Sequence, residues 1–150
     1  YQLSFGADVF GGPRWSELVD PTRAAEYREK GAIPVMLDPD GVPVKRNFVH
    51  VDDLVSAILI ALEHPRAKKQ TFNVCMDEPV DYGELGAYLE KTGGRASVPI
   101  TTPFRSTWLD NAKAKLLLGW RPRYDLHKMT DAAFDYQRAP SDPRQVWYPG

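Results

Sequence analysis

Apolar positions in this 150-residue chain recur in short blocks whose spacing alternates between strand-like and helical. Ile33 to Leu37 is a short apolar run, and Lys45 to Val51 carries Phe48, Val49 and Val51; both read as strands. Leu54, Val55, Ile58, Leu59, Ala61 and Leu62 follow at helical spacing, with Asp52-Asp53 as N-cap and first turn. His64-Pro65 ends that helix, because a residue before proline avoids the helical region. Thr71 to Met76 is continuously apolar, as expected of a strand covered on both faces.

Punctuating residues supply the remaining boundaries. Residues 1–13 read as a strand running into a glycine loop, Gly11-Gly12-Pro13. Ser16 to Lys30 is helix-rich, with Trp15, Leu18, Ala25 and Tyr27 as partly apolar positions, Asp20 as cap and Pro21 as first residue. Asp38-Pro39-Asp40-Gly41 is a turn. Asp81-Tyr82-Gly83-Glu84 forms a capping box for a helix through Lys91, closed by Gly93-Gly94. Val98 to Ile100 is extended. Asp110 caps a short helix, Asn111 to Leu118, that packs Leu116, Leu117 and Trp120 and stops at Gly119 and Pro122. A last helix runs from Leu126 to Arg138, and residues 139–150 form an irregular tail. Strands alternating with helices make this an α/β chain.

Composition narrows the function. A hydrophobic share of 43% suffices for a core, and a net charge of -1 argues against a nucleic-acid or membrane-surface partner. No apolar stretch approaches the ~20 residues of a membrane span. The single cysteine, Cys75, sits in an apolar strand and reads as a core residue in a reducing, cytoplasmic setting. His50, His64 and His127 are scattered, without metal-ligand spacing. The chain opens at Tyr1, so residues upstream are expected to be missing.

Dinucleotide chemistry is not encoded here. Gly6 to Gly11 has P-loop glycine spacing, but Gly12-Pro13 stands where lysine and serine or threonine are needed, and no G-x-G-x-x-G follows a strand. Tyr124 and Lys128 form a Tyr-x-x-x-Lys string, the spacing at which a lysine can activate a phenol on one helix face. Tyr124 lies before its helix, so the string reads as coincidence. Arg46, at the start of a strand leading to a carboxylate-capped helix, could point a two-pronged cation at a phosphate or at plain solvent.

Three segments in order, Arg46-Asn47-Phe48-Val49-His50-Val51-Asp52-Asp53, Phe72-Asn73-Val74 and Asp110 to Pro122, resemble the extended short-chain dehydrogenase/reductases, the NAD-dependent epimerase/dehydratase family. That family shows R-D-F-V-H-V-D-D, F-N-V-G and D-x-x-K-A-x-x-x-L-G-W-x-P. The resemblance spans residues 1–138 and implies the C-terminal portion of a Rossmann-type NAD(P)-binding epimerase fold with its small substrate-binding domain. It further implies that the glycine-rich NAD or NADP loop and the catalytic Tyr-x-x-x-Lys lie upstream of Tyr1, leaving no catalytic or cofactor-binding residue in this chain.

On this resemblance Arg46 matches the arginine that contacts a substrate diphosphate, and Asp8 falls in the segment lining the sugar-nucleotide site. Phe5 and Asp8 stand where the family has arginine and asparagine, and a carboxylate at that place would repel a diphosphate. The R-x-G-D segment common before the Asp110 position is absent, with Arg105 as a candidate replacement. The implied function is the substrate-binding half of a cytoplasmic, homodimeric sugar or nucleotide-sugar epimerase/dehydratase, inactive without its N-terminal half. Alternatives are a dehydrogenase or reductase on a smaller carbonyl or sugar-acid substrate, and a non-catalytic nucleotide sensor.

Overall fold

The computed structural model describes residues 18–136, which divide into two compact units interleaved along the chain. The first is built from residues 18–44 and 82–105, the second from 45–81 and 106–136.

In the first unit, helix α1 (Pro21–Glu29) begins where the sequence predicts: the Asp20 carboxylate accepts the Thr22 and Arg23 N–H groups, and proline occupies the first turn. Its buried residue is Ala24. Strand β1 (Ile33–Leu37) pairs in parallel with the later strand β4 (Ser97–Thr101), from Ile33 opposite Ser97 to Leu37 opposite Thr101. The turn after β1 is held by Asp38, whose Oδ1 accepts from Asp40 N and Val42 N at 2.9 Å each. Helix α3 (Tyr82–Gly93) packs on this pair and closes at Gly94, at φ +61°. Gly86 permits the approach, since a Cβ there would stand 2.6 Å from Val35 Cγ2. Val35, Met36, Val44, Tyr82 and Ile100 form the core.

The second unit departs from the sequence expectations at three points. The strand expected over Lys45 to Val51 is only Lys45–Arg46 (β2), paired antiparallel with Val80–Asp81 (β3). Residues 47–50 leave that ladder, and Val51 already opens helix α2 (Val51–Glu63). The cap is therefore His50, whose Nδ1 accepts from Asp52 N at 3.2 Å, with Asp52 and Asp53 in the first turn. Likewise Thr71 to Met76 is not assigned as a strand; its link is Met76 N–H donating to the Phe48 carbonyl at 2.8 Å. A strand needs a continuous ladder, and no described residues supply one there.

The third departure concerns what the helices bury. Helix α4 (Ala112–Leu118) starts one residue later than expected: its N-cap is Asn111 rather than Asp110, though the Asp110 carboxylate still accepts Ala112 N at 2.7 Å, and the helix ends at Gly119, at φ +69°. Trp120 is buried as expected, packed with Ala57, Ala114 and Leu118, but Leu116, expected beside it, is 77% exposed. Ala57, Ile60 and Ala61 carry α2's inward contact, while Val51, Leu54, Val55, Ile58, Leu59 and Leu62 are exposed. Helix α5 (Leu126–Asp135) follows, capped by Asp125 accepting Lys128 N at 2.9 Å. It ends before the expected Arg138, which lies outside the described residues, as does the tail.

Candidate functional site

Arg46 sits at the end of β2, where backbone pairing to a second segment fixes its position. Lys45 N donates to Ser106 Oγ at 3.0 Å and Thr107 N donates to the Lys45 carbonyl at 3.2 Å. Arg46 Nη1 donates to Thr107 Oγ1 at 3.2 Å, so the half-buried guanidinium is oriented by a hydroxyl contributed from 61 positions along the chain. Beside it, Lys45 Nζ lies 3.3 Å from Asp81. Sequence spacing gave no indication of the Ser106–Thr107 partnership, because the segment has neither strand periodicity nor a turn motif.

Downstream of Arg46, the N-terminus of α2 is organised around two acids with different environments. Asp53 is fully buried; its carboxylate accepts Arg123 N at 2.9 Å, Arg123 Nε at 3.1 Å and Tyr124 N at 3.1 Å. Asp52 is exposed and accepts the Tyr124 hydroxyl at 3.1 Å. The Tyr124 ring stacks on His50, with centroids 3.6 Å apart and planes 13° off parallel. Together with Val49, Met129 and Tyr136, these groups line an open cleft of about 760 Å³. Its ionisable rim is acidic, from Asp52 and Asp135, which suits neutral or cationic groups better than phosphate.

The surroundings of Tyr124 and Lys128 are not those of an activated phenol. The hydrogen bond to Asp52, then burial and the Asp52 charge, push the Tyr124 phenol above its ordinary value, opposite to what a general base needs. Lys128 Nζ instead approaches Asp125 at 3.7 Å. Cys75 is buried and donates to the Leu109 carbonyl at 3.4 Å; burial, reinforced by Asp77 and Asp110, raises its thiol and disfavours a thiolate. His64 caps the short 3-10 turn Pro65–Ala67, and His127 is exposed. Among the described residues no group of three or more His, Cys, Asp or Glu could hold a metal.

Of the other sequence candidates, Asp8 lies outside the described residues. Arg105 belongs to the first unit, where it is exposed, ion-pairs with Asp40 and lies 3.9 Å from Asp38. The Asp40 hydrogen bond and charge hold its guanidinium still more firmly protonated. A diphosphate at Arg105 would compete with these two turn carboxylates.

Residues 21–75 match the model of the NAD dependent epimerase/dehydratase family. The match covers a little over a third of the chain. Structural similarity extends further. A short-chain dehydrogenase/reductase superfamily protein from Agrobacterium tumefaciens, with bound NAD, is 26% identical at a TM-score of 0.63, over 68% of this chain and 32% of that one. UDP-glucuronic acid 4-epimerase from Bacillus cereus, in complex with NAD, is 25% identical at a TM-score of 0.58, over 73% and 34%. The chloroplast stem-loop binding protein of 41 kDa b from Arabidopsis thaliana is 28% identical, over 67% of this chain and 30% of that protein. The chain thus spans about a third of the length of each. The expected α/β, Rossmann-type epimerase class holds, with β1 and β4 as a parallel pair.

The helix N-termini of the described residues offer a pyrophosphate little. A pyrophosphate needs a helix N-terminus with open N–H groups. Four of the described α-helices have a carboxylate at the cap or in the first turn: Asp20 at α1, Asp52 and Asp53 at α2, Glu84 at α3 and Asp125 at α5; at α4 the Asp110 carboxylate, one position before the Asn111 cap, already takes the Ala112 N–H. No helix of the described residues is long and apolar enough to cross a membrane.

Proposed function

We propose that this chain is the substrate-binding portion of an NAD(P)-dependent sugar or nucleotide-sugar epimerase/dehydratase, with Arg46 gripping the substrate's diphosphate. The observation that carries this reading is the Arg46–Thr107 arrangement within a family-matched segment. A guanidinium is a planar, permanently charged fork of five N–H donors whose geometry matches phosphate oxygens. The acidic aromatic cleft at His50, Asp52 and Tyr124 does not suit the diphosphate. In this reading, hydride transfer and the catalytic tyrosine belong to residues outside this chain, as does the NAD or NADP site. This portion selects the sugar, and the parent works as a homodimer in the cytoplasm.

Calorimetric titration with UDP-glucuronic acid tests it. Binding that weakens about 10- to 100-fold in Arg46→Ala, the loss expected for one charge-assisted contact, supports the assignment. Unchanged binding removes Arg46 from the pocket.

A second reading is favoured by the Arabidopsis relative, whose name describes stem-loop binding. A non-catalytic stem-loop binder would take an RNA hairpin in the same titration, with an affinity that falls steeply with salt. The net charge of -1 weighs against it. A reductase on a smaller, uncharged carbonyl substrate would leave both titrations blank.

A further inference from the structure

A guanidinium on a long flexible stem visits many rotamers, and ordering them when a ligand arrives weakens binding. A side chain already aimed avoids that loss. At Arg46 the aim is set by Thr107, whose Oγ1 accepts Arg46 Nη1 at 3.2 Å.

Thr107 lies in irregular chain: residues 106–111 form neither helix nor strand. Such a segment holds a side chain in place only where other residues fasten its backbone. Four bonds do so here, two at each end. Lys45 N donates to Ser106 Oγ at 3.0 Å, and Thr107 N donates to the Lys45 carbonyl at 3.2 Å. Farther along, Cys75 Sγ donates to the Leu109 carbonyl at 3.4 Å and Asn73 Nδ2 to the Asp110 carbonyl at 2.9 Å. Thr107 therefore stands between an end tied to β2 and an end tied to residues 73–75.

Strand β2 gives the two cations different partners. Successive strand residues face opposite sides, so the Lys45 and Arg46 side chains diverge. Lys45 Nζ meets Asp81, its cross-strand partner on β3, at 3.3 Å. Arg46 lies opposite Val80, whose side chain accepts no hydrogen bond. The hydroxyl that meets Arg46 comes instead from the segment bonded to the Lys45 backbone.

We infer that Thr107 is the positioning residue of Arg46: its hydroxyl presets the guanidinium for a phosphate, and residues 106–110 are the frame that holds it. The inference rests on the functional reading above and adds to it the residue that aims the cation. Thr107 is exposed, so valine, of the same shape and also β-branched, removes the hydroxyl while leaving no buried group stranded.

The 150-residue chain is titrated with UDP-glucuronic acid, with the thermal midpoint of each variant measured alongside. Thr107→Val is expected to weaken binding about 3- to 10-fold, the worth of one exposed hydrogen bond, at an unchanged midpoint. Thr107→Ser is expected to bind as the parent sequence does. Thr107→Ala must reproduce the valine loss; a loss confined to valine is steric and overturns the inference. In an Arg46→Ala background Thr107→Val is expected to add nothing, because both act through one contact. An equal loss with and without Arg46 overturns the inference.

A second measurement needs no ligand. Nitrogen-15 NMR of the arginine side chains is expected to show Arg46 Nη signals that shift and broaden in Thr107→Val but not in Thr107→Ser. Signals indifferent to the valine overturn the inference whatever the titration gives. A loss in Arg46→Ala that Thr107→Val does not share overturns it alone and leaves the functional reading standing. Absence of binding to the parent chain overturns that reading, and this inference with it.

Discussion

Trp120 and Asp53 are joined twice over: the indole Nε1 donates to the Asp53 carbonyl at 3.1 Å, and the loop leaving Trp120 returns two backbone N–H groups to the Asp53 carboxylate. Both residues are essentially inaccessible, so these bonds fasten the 120–124 loop to the first turn of α2 in a low-dielectric setting. Asp53→Ala removes the buried acceptor and strands the Arg123 and Tyr124 N–H groups. We expect a loss of about 3–5 kcal/mol in urea unfolding, the range for breaking a buried charged pair. A loss under about 1 kcal/mol would mean that water replaces the carboxylate.

Gly86 offers a second check, in the first unit. With Val35 Cγ2 at 2.6 Å and Ser97 Oγ at 2.9 Å from an added Cβ, Gly86→Ala should overpack the contact between α3 and β1. A destabilisation of about 1–3 kcal/mol is expected. Helix propensity alone favours alanine by about 1 kcal/mol, so a stabilised variant would show that Val35 and Ser97 move aside freely.

Tyr124 should ionise above its ordinary value of 10.0 in ultraviolet titration, and Asp52→Ala should bring it back down, since Asp52 supplies the leading contributions. A raised folded value means the hydroxyl–carboxylate bond contributes stability fully below pH 10 and loses it as pH climbs through the folded value. Identical titrations in the two proteins would place Tyr124 away from Asp52 in solution.

Asp77 gives the opposite sign. Burial raises its carboxyl, but bonds from Lys115 at 2.6 Å and Asn111 at 2.9 Å outweigh it and leave the value below 3.8. The stability it contributes is present above that pH and is lost as pH falls through the depressed value. Asp77→Asn should therefore be less stable than the parent near neutrality, with the gap closing in acid. A gap independent of pH would exclude the carboxylate charge as its source.

Local chemistry was legible wherever a residue and its partner lie within a few positions. Asp20 caps as its sequence position indicates, and the Asp38 turn and the Gly94 and Gly119 helix ends sit where glycine and aspartate predict them. The order of the family segments, and with it the α/β epimerase class, was also readable from the chain.

What the sequence by itself determined was where elements begin and end, because caps, turns and breakers act within a few residues. Tertiary structure decided which face each element uses. Periodicity marks α2 as apolar but does not distinguish its Ala57 face from its Leu54 and Ile58 face, since both are rows of hydrophobic residues. Only packing against Trp120 and Ala114 makes that choice. The same holds for Asp53 and Arg46: their partners stand 70 and 61 positions away, a separation across which no local rule operates.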